Sequence, residues 1–407
     1  MTINVDYNSE RIVGKHSLES LTTGMYRNPF TIFREYIQNS SDAIDEAVTM
    51  GIITPQQGTI NVNVDKDKRL ISIKDNGTGV NSSEAFKILG DIGNSQKRHK
   101  KNRGFRGIGR LAGFTYAKNV VFVTSFYGES QKTIITFDCQ YMREILHSEN
   151  DGIETAIDVL DKITKIQFES EKKDMHYLEV RLEDVFEQFD NLLEESVVSE
   201  YLSGVAPISF DDQMFLYAGD IRDKYKELGK ALEEYNVFIN GAKRPLKKMY
   251  KTLFKTGHQQ KDKQNDRIKG IEFFEKYSTS GDLLYFGWYA QSSFFGTVRE
   301  KFMKGIRIRK GNILIGDEYS FGKFFPEPRL NGWLIGEVYI YAENLIPNSQ
   351  RDDFEENEAY KEIEKYFFEQ GKKLSSMVRD TSEINSKIKA IDESEIDLNK
   401  IKQEIET

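Results

Sequence analysis

The segment "REYIQNSSDAID", residues 34–45, decides how the first half of the chain is read. With about 100° of rotation per residue, a helix here puts Phe33, Ile37, Ile44 and Val48 on one side. Glu35, Asn39 and Asp42, at i, i+4 and i+7, fall on the opposite side within a strip roughly 60° wide. Glu, Asn and Asp are common on solvated helix faces, so this helix alone reads as ordinary amphipathic surface structure. The alternative is that the ordered strip lines a polar site. The motifs that follow it separate the two readings.

The chain has 407 residues, more than one ordinary core accommodates, and two or three domains are expected. Its 38% hydrophobic and 30% charged residues, with 27 Phe and 20 Tyr, place it among globular rather than disordered sequences. No apolar run is long enough for a membrane span, and the start, "MTINVDYNSERIVGK", has no charged leader followed by an apolar core. A single cysteine, Cys139, excludes an intrachain disulfide and fits a reducing compartment. A cytoplasmic protein without membrane partners is the expectation. The net charge of −8 argues against a general polyanion binder, although local basic patches stay open.

After the helix, "GTINVNVDKDKRLISIKDNGTG" (58–79) alternates apolar and polar residues around a charged turn, the pattern of an antiparallel hairpin. "NVVFVTSFYGES", "KTIITFDCQ" and "HYLEVRLEDV" repeat the strand pattern. Between them lies "LGDIGNSQKRHKKNRGFRGIGRLAGF", with five basic residues from Lys97 to Arg103 and five glycines from Gly90 to Gly109. It reads as a mobile loop leading into a helix. A second region starts at "EYLSGVAPISF". It holds a helix near 220–235, the strand "YNVFING", the polar loop "KTGHQQKDKQNDRIKG", and the strands "LLYFGWYAQ", "GIRIRKGNILIG" and "GWLIGEVYIYAE". Beyond Asp353 the chain is charged and helical in character. Loosely spaced isoleucines there suggest a dimer contact or a frayed end. The expected domains are 1–195, 196–355 and 356–407.

"DNGTGV" (75–80) follows a strand. Taken alone it is a hairpin turn. A buried carboxylate at Asp75 would instead accept a hydrogen bond from an exocyclic amine, with Gly77 and Gly79 letting a flat base approach the backbone. "GFRGIGRLAGF" (104–114) leads its glycines into an apolar segment, so free N–H groups at a helix start would face an anion. It is neither a dinucleotide-binding fingerprint, since no strand runs into it, nor a P-loop, since no Gly-Lys-Ser/Thr follows.

The three signals occur in fixed order within some 80 residues. Together they resemble the GHKL ATPase superfamily of gyrase, the 90-kilodalton heat-shock chaperone, histidine kinases and MutL, and most of all the heat-shock branch. "REYIQNSSDAID" is similar to the N box, "DNGTGV" to the first glycine box and "GFRGIG" to the second, over roughly residues 10–185. The resemblance implies an α+β fold: a Bergerat-type α/β sandwich ATPase domain, then a second α/β transducer domain and a helical tail.

It further implies that Glu35 activates the attacking water and that Asn39 holds a magnesium ion bridging the phosphates of ATP. Asp42 and Ala43 would line the pocket, and Asp75 would bind the adenine amine beside Gly77 and Gly79. Gly104, Phe105, Gly107 and Gly109 would wrap the phosphates, with Ser95 and Lys97 reaching them from the lid. Histidine kinases need a phosphoacceptor histidine on a preceding helix, and none of the five histidines lies in such a context. The family's late threonine, which supports adenine, has no match in "DMHYLEVRL", where His176 stands near its place. In "GEVYIYAENLIPNSQRDDFE" the pair Asn348 and Arg351 is similar in spacing to a middle-domain segment whose arginine reaches the γ-phosphate; a surface salt bridge of Arg351 with Asp352 or Asp353 is the plainer alternative. Lys310 is a further candidate phosphate contact.

The implied function is an ATP-gated dimeric clamp acting on a protein or nucleic-acid client. The alternatives are a DNA-repair or topoisomerase-like ATPase subunit and a non-hydrolysing ATP-gated binding module, against which Glu35 speaks.

Overall fold

The computed structural model describes residues 13–22, 28–90, 109–148, 155–257 and 264–405. It divides into two compact units. One comprises Met1–Leu202 with Tyr235–Leu246, the other Ser203–Glu234 with Lys247–Thr407.

In the first unit, helices α1 (His16–Thr22) and α2 (Thr31–Thr49) precede the hairpin β1 (Thr59–Asp65) and β2 (Leu70–Asp75). A short helix α3 (Ala85–Gly90) follows, then a 3-10 turn over Gly109–Thr115, strands β3 (Ala117–Ser125) and β4 (Gln131–Asp138), and helices α4 (Cys139–His147) and α5 (Ala156–Ile163). Strands β5 (Thr164–Ser170) and β6 (Tyr177–Val185) complete the series before helix α6 (Glu195–Val205). The sheet order is β5-β4-β3-β6-β2-β1-β7, where β7 is Asn236–Ile239. Ile60, Val62 and Val64 of β1 are buried while Asn61 and Asn63 are exposed, the alternation of a sheet with one covered face. Phe33, Ile37 and Ile44 of α2 are essentially inaccessible, each worth about 1.5–3 kcal/mol of burial.

Two elements depart from the sequence reading. The strand in "YNVFING" belongs to this sheet, pairing parallel with β1 from Thr59↔Asn236 to Val62↔Ile239, although it lies in the sequence region read as the second domain. A parallel partner can join only through a long connection, so its neighbour in space is remote in sequence. Strand β5, a segment to which no element was assigned from sequence, carries exposed Ile166 and Phe168 at the sheet edge.

The second unit holds α7 (Ala218–Glu227), the ribbon β8 (Leu253–Thr256) and β9 (Gln264–Arg267), and a five-stranded sheet. That sheet is ordered β10 (Gly270–Tyr277), β11 (Leu283–Gln291), β14 (Ile335–Ile340), β12 (Gly305–Lys310), β13 (Ile313–Ile315). One aromatic cluster forms around Phe210, Phe215, Tyr250 and Trp288. Another, around Phe321, Phe324 and Phe367, includes the start of helix α8 (Glu358–Ile405). With apolar clusters on both faces, β14 is buried at every position. "GIRIRK" does not present its arginines to solvent: Arg307 and Arg309 are 1% exposed. Arg309 pairs with Glu337, which also takes Lys248 at 2.8 Å. Burial pushes the Glu337 carboxyl up, but the cations of Arg309 and Lys248 outweigh it and hold it at about 2. Farther along α8, Ile384, Ile388 and Ile391 are exposed.

Candidate functional site

The polar strip of α2 does not face water. Glu35 and Asp42 are 5% and 6% exposed, and Asn39 is half-buried. Most of the helix from Thr31 to Asp42 is inaccessible on both faces, so the strip is enclosed by the protein. Burying carboxylates in this way is costly unless partners or a ligand compensate. Glu35 has the Arg34 guanidinium 3.9 Å away.

The 3-10 turn at Gly109–Thr115 closes over this end of the helix. A Cβ at Gly109 would stand 2.5 Å from Glu35 Oε2, so any other residue here would push the carboxylate aside. Tyr36 fixes the same turn: its hydroxyl donates to the Arg110 carbonyl and accepts from the Gly113 N–H, both at 3.0 Å. No sequence signal marks Tyr36, whose ring looks like core.

At the other end of the strip, Ala43 and the glycine turn are joined. Thr78 N–H donates to the Ala43 carbonyl at 3.2 Å, and a Cβ at Gly77 would fall 2.5 Å from Ala43 Cβ. Gly79, at φ +66°, passes so close to β3 that a Cβ would lie 1.9 Å from the Ser125 carbonyl oxygen. Gly77 is therefore required by close approach, and Gly79 by close approach and by its left-handed backbone.

Asp75, at the end of β2, is 2% exposed. Burial pushes its carboxyl up from 3.8 to about 6, against hydrogen bonds from Gly77 N–H, the Ser40 hydroxyl and Leu178 N–H and the field of His176. The Gly77 bond is 2.9 Å and the Leu178 bond 3.4 Å. Ser40 was missed in the sequence because it sits between the motif residues with no distinguishing spacing. His176 Nδ1 lies 2.8 Å from the Gly77 carbonyl oxygen, so the histidine near the place of the family's threonine holds the turn's backbone and not the Asp75 carboxylate.

Contacts with α2 thus bring Gly109 beside Glu35, Gly77 and Thr78 against Ala43, and Ser40 to the Asp75 carboxyl, while Asn39 and Asp42 lie between them along the helix. Ser95, Lys97, Gly104, Phe105 and Gly107 lie outside the described residues. Residues 27–172 match the model of the family described as histidine kinase-, DNA gyrase B-, and HSP90-like ATPase. Over these residues the chain is similar to a GHKL ATPase domain. Its relatives include the chaperone protein HtpG of Streptomyces coelicolor, 27% identical over 143 residues, 30% of this chain and 22% of that one. HtpG of Buchnera aphidicola is 32% identical over 140 residues, again 30% and 22%. The match to HtpG of Geobacter metallireducens is longer: 23% identical over 271 residues, 58% of this chain and 40% of the relative. The chain spans between about a fifth and two-fifths of the length of these relatives.

Beyond the GHKL domain, Arg351 sits in a turn of the second unit at φ +55°. Its N–H donates to the Asn348 carbonyl at 3.1 Å, and its own carbonyl accepts from Gly316 N–H at 2.8 Å. Asp352 accepts from the Asn348 amide and Asp353 pairs with Lys323. Lys310 donates to the carbonyls of Ala342 and Leu345 at 2.8 and 2.7 Å, an internal clasp on the chain after β14. Among the described residues, no helix is long and apolar enough to cross a membrane.

Proposed function

We propose that the chain is a magnesium-dependent ATPase of the heat-shock type, an ATP-gated dimeric clamp acting on a client. The observation that supports this best is the burial of Glu35 beside the Gly109 backbone, on a helix face that also carries half-buried Asn39 and buried Asp42. A buried carboxylate beside a glycine backbone suits a general base with phosphates passing next to it. In this reading Glu35 orients and deprotonates the attacking water. Asp75 accepts the adenine amine, with Asp42, Ala43, Gly77 and Gly79 around the base. Gly104, Phe105, Gly107, Gly109, Ser95 and Lys97 belong to the phosphate lid.

Magnesium takes few protein ligands and keeps phosphate and water oxygens, so the single half-buried amide of Asn39 fits it. The ion would supply charge neutralisation on the phosphates.

The second unit and α8 would serve as transducer and tail, with Arg351 sensing the γ-phosphate. Nucleotide domains of two copies would associate in the ATP state, and the lone, buried Cys139 is compatible with a cytoplasmic setting. Glu35→Ala tests the core of the proposal. ATP turnover should fall by about 100-fold or more while ATP binding stays near wild type; normal turnover in the variant would overturn it. Mass in solution with and without a non-hydrolysable ATP analogue tests the clamp, and a chain that never dimerises would reject it.

A further inference from the structure

From Asn236 to Lys261 the chain has seven basic residues and no acidic one, although its net charge is −8. In the second unit this run supplies strand β8, which pairs with β9 just beyond the run, in a stretch read from the sequence as a polar loop. The two strands are antiparallel, with Leu253 opposite Arg267 and Lys255 opposite Asn265. Phe254, Thr256, Asp266 and Ile268 are buried, and Phe254 and Ile268 belong to the aromatic cluster around Trp288. The ribbon is therefore pinned by its inner face.

The outer face presents Leu253, Lys255, Asn265 and Arg267, continued at the strand ends by half-buried Lys251 and exposed Lys269. Four of these six residues are cations and none is acidic. Asp266 points inward, accepting from the N–H groups of Arg267 and Ser293 at 2.7 and 3.1 Å. The neighbouring Glu300 carboxylate accepts the Lys255 backbone N–H at 3.1 Å. Elsewhere Lys66, Lys132, Lys224 and Lys226 pair with carboxylates. Among the described residues, the four ribbon cations are in no ion pair. A solvated charged face is ordinarily of mixed sign; this one is not.

We infer that the outer face of β8–β9 is a docking surface for duplex DNA. Two paired strands lie about 4.8 Å apart, and the major groove of B-form DNA, about 12 Å wide, admits such a ribbon. Lysine and arginine would meet phosphates or guanine edges, the Asn265 amide matches an adenine edge, and Leu253, 68% exposed, suits a thymine methyl. An acidic polypeptide matches the same charge and could also use Met214 and Leu216, exposed beside Thr252 at one end of the ribbon. The cations outnumber those apolar positions and are centred on the pinned strands, which favours DNA. The inference names the client class of the ATP-gated reading and rests on it for biological context, but not for its test.

The test is fluorescence anisotropy of the full chain with a DNA duplex, an RNA duplex of the same sequence and polyglutamate. For four phosphate contacts the affinity for DNA should fall about 150-fold between about 50 and 200 mM salt, a log–log slope near −3.6. Lys255→Gln/Arg267→Gln should bring that slope to about −1.8 and weaken binding at least about ten-fold, with the melting temperature and ATP affinity unchanged. The RNA duplex, whose major groove is too narrow for the ribbon, should bind more weakly. DNA binding indifferent to the double variant, equal affinity for RNA, or binding of polyglutamate without DNA would overturn the inference. Loss of ATP binding with DNA binding intact would instead strike the nucleotide reading alone.

Discussion

Asp75→Asn pulls apart the stability and the binding role of one side chain. Burial raises the Asp75 carboxyl from 3.8 to about 6 although three hydrogen bonds and His176 work the other way. A shift of about two pH units corresponds to about 3 kcal/mol between the protonation states. Between about pH 4 and 6 the folded chain keeps a proton that the unfolded chain has released. The stability contributed by the neutral acid is thus full below about pH 4 and is lost as pH rises through about 6. Asparagine is neutral throughout and retains an oxygen for Gly77 N–H. Urea denaturation near neutral pH should find the variant more stable by about 1–3 kcal/mol, with the pH 4–6 dependence much reduced. Nucleotide affinity should move oppositely: losing a charged acceptor for the adenine amine costs about 1.5–3 kcal/mol, roughly 10- to 150-fold in Kd by titration with a fluorescent ATP analogue. A variant less stable than wild type near neutral pH, or one that binds ATP equally well, would refute the reasoning.

Gly79→Ala should destabilise the protein by about 3 kcal/mol or more, because its Cβ meets the Ser125 carbonyl and a left-handed backbone adds about 1–2 kcal/mol; an unchanged melting temperature would show that the turn can move away from β3. Glu337→Gln leaves Lys248 and Arg309 buried without their counter-charge, so chemical denaturation should register a loss of about 3–5 kcal/mol, and wild-type stability would mean the cluster is not closed to water. Tyr36→Phe removes the hydroxyl that ties Arg110 to Gly113. It should cost about 1–2 kcal/mol and speed hydrogen exchange at the Gly113 amide, whereas unaltered exchange would mean another group holds the turn.

Much of the first unit was legible because local patterns carry it. The alternation in 58–79 gives the β1–β2 hairpin, and the 3.6-residue period fixes which side of α2 holds Phe33, Ile37 and Ile44. The glycine turn at 75–80 and the order of the motifs were equally plain, since they depend on residue type and spacing. Other features depend on residues distant in sequence. Whether Glu35 and Asp42 face water or protein was undecidable from periodicity, because both faces of α2 are covered only once the 109–115 turn and the sheet have closed around it. The membership of Asn236–Ile239 in the first sheet, across a connection through the second unit, was hidden for the same reason.

Charge was the least legible property. "GIRIRKGNILIG" reads as a strand and "KTGHQQKDKQNDRIKG" as a polar loop, and neither shows which of its cations end up enclosed. Tertiary packing buries Arg307 and Arg309 beneath an aromatic core, gives Arg309 the Glu337 carboxylate, and leaves Lys255 and Arg267 outward on a ribbon. The sequence by itself determined the helix, the hairpin and the motif order, because those rest on interactions within a few residues. Only the tertiary structure decided which polar groups are enclosed, since the free energy of a charge depends on what surrounds it and those surroundings come from strands remote along the chain.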